Sequence, residues 1–320
     1  MMASISVGLR AALRHPKIVG LLWAWYGLLA LVPSLPAWTW WNEVLGSSPE
    51  AASALKRFDL GVFVDLTAGK GINGLGLLTG AAVAVAMIAF VSSVFAFGGI
   101  LEVLGSEDDR RPFMHRFFRG GGHFFWRFFR LSLAAGVCAV LAVGVVAGPV
   151  ARALARFADS EWEPAGYLFG LGVALTVALL AGLFLLALDY ARIRVARDDA
   201  RGMLRAYAGG VAFVLRNVLT TYGLAASFIA LLVALVLCYV AYETNAPAVG
   251  SWGAIAALVV IQQVVVFGRV FLRVALVGAE RHFHVTALPK PVPAAESEIT
   301  VAADPSLSLS APLEHEQTPT

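Results

Sequence analysis

Charge is what this 320-residue chain lacks, and it lacks it unevenly. Asp, Glu, Lys and Arg make up 14% of the residues, against about a quarter in a soluble domain. Six stretches, 18–38, 77–101, 131–151, 166–188, 218–241 and 251–268, contain none of the four. A helix crossing hydrocarbon needs about 20 mostly apolar residues at 1.5 Å rise. Each stretch meets that length, so a water-soluble fold is excluded and six spans are expected. Cysteine is nearly absent as well. Cys138 and Cys238 would sit about 20 Å apart in depth if their spans enter from one face. That excludes a disulfide framework, and no Cys-x-x-Cys pair exists for a metal. Also missing are His-Glu-x-x-His, Gly-x-Ser-x-Gly, a phosphate loop and a Rossmann glycine run. No metal and no cofactor is expected, and an enzyme is the less favoured class. The charge-free stretches offer no ionisable group at membrane depth, which disfavours ion-coupled transport.

What charge there is reports orientation, because basic loops resist translocation. Segments 1–17, 102–130, 189–217 and 269–320 carry 19 Lys and Arg, and the alternating segments carry 5. Both termini are therefore expected in the cytoplasm, in a cell membrane. Arg10, Arg14 and Lys17 ahead of an apolar run resemble a secretory signal. However, that run continues to Trp38 and meets Trp40 and Trp41, an aromatic belt. An uncleaved first span is expected, kinked or ended by Pro33 and Pro36.

The basic loops repeat. Asp108, Asp109 and Arg111 match Asp198, Asp199 and Arg201 at an offset of 90, and Gly120, Gly121 and Arg127 match Gly209, Gly210 and Arg216 at 89. A Gly-x5-Arg pattern precedes the odd spans at Gly8–Arg14, Gly121–Arg127 and Gly210–Arg216. Three degenerate repeats follow, each an inner-surface helix and a two-span hairpin. Ile5, Leu9 and Leu13 recur opposite Arg10 and Arg14, and Phe124, Phe125, Phe128 and Phe129 accompany His123, Arg127 and Arg130. Such helices lie in the headgroup plane with arginines snorkelling outward. The paired aspartates fit helix starts, and the glycine pairs fit turns into the next segment.

The fold class expected is therefore an all-α polytopic membrane protein, three hairpins with amphipathic inner-surface helices. A membrane domain over 1–284 has spans near 18–38, 77–101, 131–151, 166–188, 218–241 and 251–272. Residues 285–320, with six prolines and no aromatic residue, read as a disordered cytoplasmic tail. A short outer helix is expected after Ser48-Pro49-Glu50. Gly76-x3-Gly80, Gly144-x3-Gly148 and Gly166-x3-Gly170 offer close helix contacts as often as none.

Candidate site residues fall into three groups. Arg14, Arg116, Arg119, Arg127, Arg130 and Arg216 are candidates for the lipid surface, with anionic lipid as the partner. Gln262 and Gln263 are the outstanding intramembrane pair and should face the bundle or a wet cavity, with an interhelical hydrogen bond that fixes packing as the reading favoured over a ligand. Asp108, Asp109, Asp198 and Asp199 are weaker candidates for a cation or a phosphate, since capping explains them without a ligand. Asp189 and Arg192 read as an i,i+3 pair where the fourth span ends, and Glu280, His282 and His284 as a solvated surface. The Arg/Phe segment 113–130 lies between spans and reads as a bilayer element, not a nucleic-acid site.

The loops "FGGILEVL…RPFMHRFFRGGGHFFWRFFRLSL" and "DYARIRVARDDARGMLRAYAGGVAFVLR" resemble those of a broad class of six-span bacterial membrane proteins of uncharacterised function. More loosely, they resemble the membrane domain that accompanies some bacterial glycerophosphodiester phosphodiesterases. No phosphodiesterase domain is attached, so that activity does not carry over. The function expected is a non-enzymatic inner-membrane protein organising lipid or a protein partner at the cytoplasmic face. The alternatives are a transporter or flippase of an uncharged or lipid-like molecule, and a lipid-headgroup enzyme using the paired aspartates.

Overall fold

The structure, a computed structural model, describes residues 1–45, 72–105, 111–158, 163–198, 202–245 and 252–287. All its elements there are helices: α1 (Met2–Arg14), α2 (Pro16–Leu45), α3 (Ile72–Gly105), α4 (Phe113–Ala158), α5 (Glu163–Asp198), α6 (Met203–Arg216), α7 (Val218–Asn245) and α8 (Trp252–Ala287). Six of them, α2, α3, α4, α5, α7 and α8, are long and apolar enough to cross a membrane. The chain is thus an all-helical, multi-pass membrane protein. The expected outer helix and the tail from 288 onward lie outside the described residues.

Local chemistry decides where helices break. α1 stops at Arg14 and α2 begins on Pro16, the residue type that suits a first helical position because its missing N–H would be an orphan there. α6 ends at Asn217, whose backbone N–H bonds to Phe213 and Val214 carbonyls while its side-chain amide donates to Phe213 O at 3.0 Å. No such residue separates Arg127 from Leu131. The Arg/Phe segment is consequently the start of one 46-residue helix, α4, not a separate surface helix as expected. α2 likewise runs through Pro33 and Pro36 to Leu45, so neither proline ends it.

Burial is confined to one end of the bundle. The buried residues fall within Ile18–Leu29 on α2, Val94–Leu104 on α3, Arg116–Ala135 on α4, Leu186–Val195 on α5, Thr221–Phe228 on α7 and Val270–His284 on α8, with faces of α1 and α6. No described residue of the opposite end is buried. α3 and α4 run antiparallel through Phe90–Phe129, Phe95–Phe117 and Phe97–Phe128 ring contacts at 6.0–6.2 Å. Of the four phenylalanines named from the Arg/Phe segment, Phe124, Phe128 and Phe129 therefore pack on α3.

The repeated glycines sit in mid-helix, where two helices cross. A Cβ on Gly8 would collide with the Ala275 carbonyl and meet Ala279; on Gly210, with the Ala187 carbonyl and Ala191; on Gly120, with Gly98 O and Glu102. The three seats are thus Ala275/Ala279 on α8, Ala187/Ala191 on α5 and Gly98/Glu102 on α3, each pair four residues apart. Small residues at that spacing let backbones approach closely at the first two seats, and Gly98 does so at the third. The equivalent glycine of the middle repeat is Gly120, one position from the Gly121 of the sequence match, and this restores the offset of 90 shared by the aspartate pairs. The glycines do not make turns. By contrast, a Cβ on Gly76, Gly80, Gly144, Gly148 or Gly170 would meet nothing within 4 Å.

Candidate functional site

At the packed end, α5 and α8 continue as helices well past their charge-free stretches and carry charge inward. Arg192 reaches Asp189 Oδ1 at 3.4 Å through Nη1, and Arg273 donates to Asp189 Oδ2 at 2.9 Å. Arg192 Nη2 also donates to Ser132 Oγ of α4 at 2.7 Å, and that hydroxyl donates to Phe128 O at 2.6 Å. The Phe97 ring of α3 lies 4.9 Å from the Arg192 guanidinium and 5.9 Å from that of Arg273, close enough for cation–π attraction. Glu280 of α8 completes the group and is fully buried. Asp189 thus faces two guanidinia, which offsets the cost of enclosing its charge, while the Glu280 carboxyl is buried beside them without an ion pair or hydrogen bond of its own.

Beside this cluster lies a second buried set. His284, one turn beyond Glu280, packs its ring 4.7 Å from Phe213 and 5.9 Å from Tyr190. Among the described residues, both Glu280 carboxyl oxygens, both His284 nitrogens and the Tyr190 hydroxyl have no hydrogen-bond partner. On α6, burial pushes the Tyr207 phenol up to about 12, so that hydroxyl stays neutral.

Two cavities open on the packed half. One, of about 560 Å³, is walled by Leu21, Trp25, Met87, Val91, Phe95 and Phe118 and is apolar throughout. The other, of about 440 Å³, lies between α2, α7 and α8; Tyr26, Phe228, Leu232 and Val266 form its walls, with Arg269 and Arg273 also lining it. Arg273 therefore belongs to both features, binding Asp189 with one nitrogen while half of its side chain stays open. Arg269, one turn away, has no ion pair or hydrogen bond among the described residues.

The residues singled out from sequence are dispersed. Arg14, Arg130 and Arg216 are exposed, and Arg127 is partly exposed. Arg116 is not: it is buried and donates to the Val103 carbonyl at 2.7 Å, capping α3. Arg281 does the same for the Leu104 carbonyl, and Arg119 pairs with Glu102. Guanidinia are favoured there because the last carbonyls of a helix carry negative partial charge. Gln262 and Gln263 are both exposed rather than turned into the bundle. Gln263 accepts a hydrogen bond from Trp23 Nε1 at 3.1 Å, and neither glutamine lines either of the two cavities described above.

Asp108, Asp109 and Asp199 lie outside the described residues. Asp198 does not start a helix; it is the last residue of α5, 3.5 Å from Arg194 and 3.9 Å from Arg197, while Gly202 holds the N-cap of α6. Among the described residues, no three His, Cys, Asp or Glu gather as metal ligands.

The buried cluster was the missed feature. Asp189 and Arg192 do pair, but as an enclosed pair and not an exit signal. Glu280 and His284 are buried, not solvated, and Ser4 Oγ lies 3.2 Å from His282 Nδ1. A signal was present: Arg269, Arg273, Glu280 and His284 are spaced 4, 7 and 4 apart, which places all four on one helix face. Comparison with protein families, with characterised proteins and with solved structures gives no match for this chain.

Proposed function

We propose that this protein is a non-enzymatic, six-span membrane protein that organises anionic lipid at its packed end, with that end and both termini in the cytoplasm. In this reading the spans form three hairpins, and α1, α6 and the start of α4 are amphipathic elements at the inner headgroups. The loop sequences are the basis for its kinship with the six-span bacterial class. The observation that carries the reading is the division of labour among the arginines. Arg116 and Arg119 are committed to holding α3, whereas Arg10, Arg14, Arg130 and Arg216 stay exposed around the packed end. Such side chains lay their stems on apolar surface and extend the charge to phosphate. The alternative, a transporter or flippase of a lipid-like molecule, would use the cavity between α2, α7 and α8, whose Val266 wall lies one turn from Gln262.

The test is the lipid retained by full-length protein purified in mild detergent. Each basic residue near an anionic surface contributes about 1 kcal/mol. Replacing Arg10, Arg14, Arg130 and Arg216 together by Gln should abolish enrichment of phosphatidylglycerol and cardiolipin over zwitterionic lipid, and Lys should largely preserve it. Unchanged enrichment in the Gln variant would sink the proposal. Orientation is tested separately: a reporter active only in the cytoplasm should work at the C-terminus, and one active only in the periplasm should be silent.

A further inference from the structure

The cavity between α2, α7 and α8 joins apolar walls to two guanidinia, a combination that the packing of the protein does not require. Arg269 has no partner among the described residues, and Arg273 uses one nitrogen on Asp189 while the rest of its side chain stays open. Depth fits a headgroup. From exposed Trp252 at the far end of α8, Arg269 and Arg273 lie 17 and 21 residues on, about 26 and 32 Å at helical rise. The hydrocarbon layer is about 30 Å thick, so an interfacial Trp252 puts both guanidinia at the opposite headgroup level. A volume of about 440 Å³ is that of a small-molecule site, about 300–1,000 Å³. Guanidinia one turn apart match phosphate oxygens, which accept two parallel N–H bonds.

From this geometry we infer a specific lipid site: one anionic phospholipid sets its phosphate between Arg269 and Arg273 and lays an acyl chain along Phe228, Leu232 and Val266. The inference rests on the reading that the packed end meets anionic headgroups, and it adds one tightly held molecule to that general enrichment. The Tyr26 hydroxyl, on the α2 wall, is a further donor for the headgroup.

Full-length protein, stripped of lipid in detergent, is titrated with phosphatidylglycerol, with phosphatidylcholine of the same chains, and with inorganic phosphate. Bound lipid is counted by native mass spectrometry, and thermal stability is followed in parallel. One phosphatidylglycerol per chain should be retained preferentially and should raise the melting temperature. Arg269→Gln should weaken retention about fivefold, the worth of one arginine near phosphate, and Arg269→Lys should restore part of it. Val266→Trp, which fills the cavity without touching a charge, should block retention while the protein remains folded. Arg273 is left intact because its loss would strip Asp189 of a partner. Full retention in both Arg269→Gln and Val266→Trp would overturn the site. So would equal retention of phosphatidylcholine, or an equal stability gain from inorganic phosphate. Loss of bulk enrichment in the exposed-arginine variant, with this single lipid unaffected by Arg269→Gln, overturns the site and leaves the proposed function standing. Specific retention lost in Arg269→Gln, with bulk enrichment indifferent to the exposed arginines, does the reverse.

Discussion

The two ends of this helical bundle are made of similar residues and behave differently. At one end, α1, α3, α5, α6 and α8 cross at glycine and alanine, ring stacks fill the gaps, and every buried polar residue among those described is found there. At the other, the same helices carry equally apolar side chains, such as Val140, Leu141, Val145, Leu171 and Leu175, yet all of these are exposed. Apolarity is therefore not what gathers the packed end. In hydrocarbon an apolar side chain gains nothing by leaving lipid for protein, so association depends on close backbone approach and on polar groups finding partners. Glycine is available at both ends; only at the packed end does it face a neighbour, and only there do Asp189, Arg192, Arg273, Arg116 and Arg281 pull helices together.

Substitutions at the two ends test that contrast, and the largest effect should come from the charge cluster. Asp189→Ala leaves Arg192 and Arg273 without their shared carboxylate, and loss of one partner from a buried pair costs about 3–5 kcal/mol. Unfolding in mixed detergent–dodecyl sulfate micelles should register that loss; a cost below that of an exposed ion pair would show that the cluster is hydrated. Next, Arg116→Gln uncaps α3 at Val103, and a hydrogen bond to a charged group is worth about 1.5–3 kcal/mol. Gly210→Ala and Gly8→Ala force α6 from Ala187 and α1 from Ala275, an overpacking cost of about 1–3 kcal/mol each. The same change at Gly144 or Gly148 should raise helix stability by up to about 1 kcal/mol. If Gly148→Ala instead destabilises the protein as Gly210→Ala does, the open end has a packing partner and the contrast fails. The smallest effect belongs to Gln263→Leu, which removes the Trp23 hydrogen bond at about 0.6 kcal/mol, the average for such bonds between spans.

The spans were legible because absence of charge is a one-dimensional property, and a run of residues suffices to show it. Their true ends were not. α5 continues to Asp198 and α8 to Ala287, and beyond residues 188 and 268 it is Asp189, Arg192, Arg273 and Arg281 that find partners across the bundle. The Asp189–Arg273 pair joins positions 84 apart, and no spacing rule in one sequence announces a partner at that distance. The glycine repeat was visible, but its purpose was misassigned. A glycine that permits a turn and one that admits a neighbour look alike until the neighbour is known, and here Ala187, Ala275 and Gly98 decide the matter. Arg116 shows the same limit. Its charge counted toward the expected surface, whereas the Val103 carbonyl takes it out of reach of lipid. Part of the cluster could have been read, since Arg273, Glu280 and His284 share a face of α8 by spacing alone.

The seat of α1 has a consequence in time. Gly8 rests on Ala275 and Ala279, so α1 packs on α8, 267 positions further along the chain. At about 5–20 residues per second, synthesis reaches that point roughly 13–53 s after Gly8 is added. Throughout that interval α1 lacks the α8 seat for the face that holds Ser4, Gly8 and Ala12, and the membrane surface offers that face another apolar medium. A nascent chain arrested before Ala275 should therefore leave α1 open to labelling or proteolysis, and release of the full chain should close it.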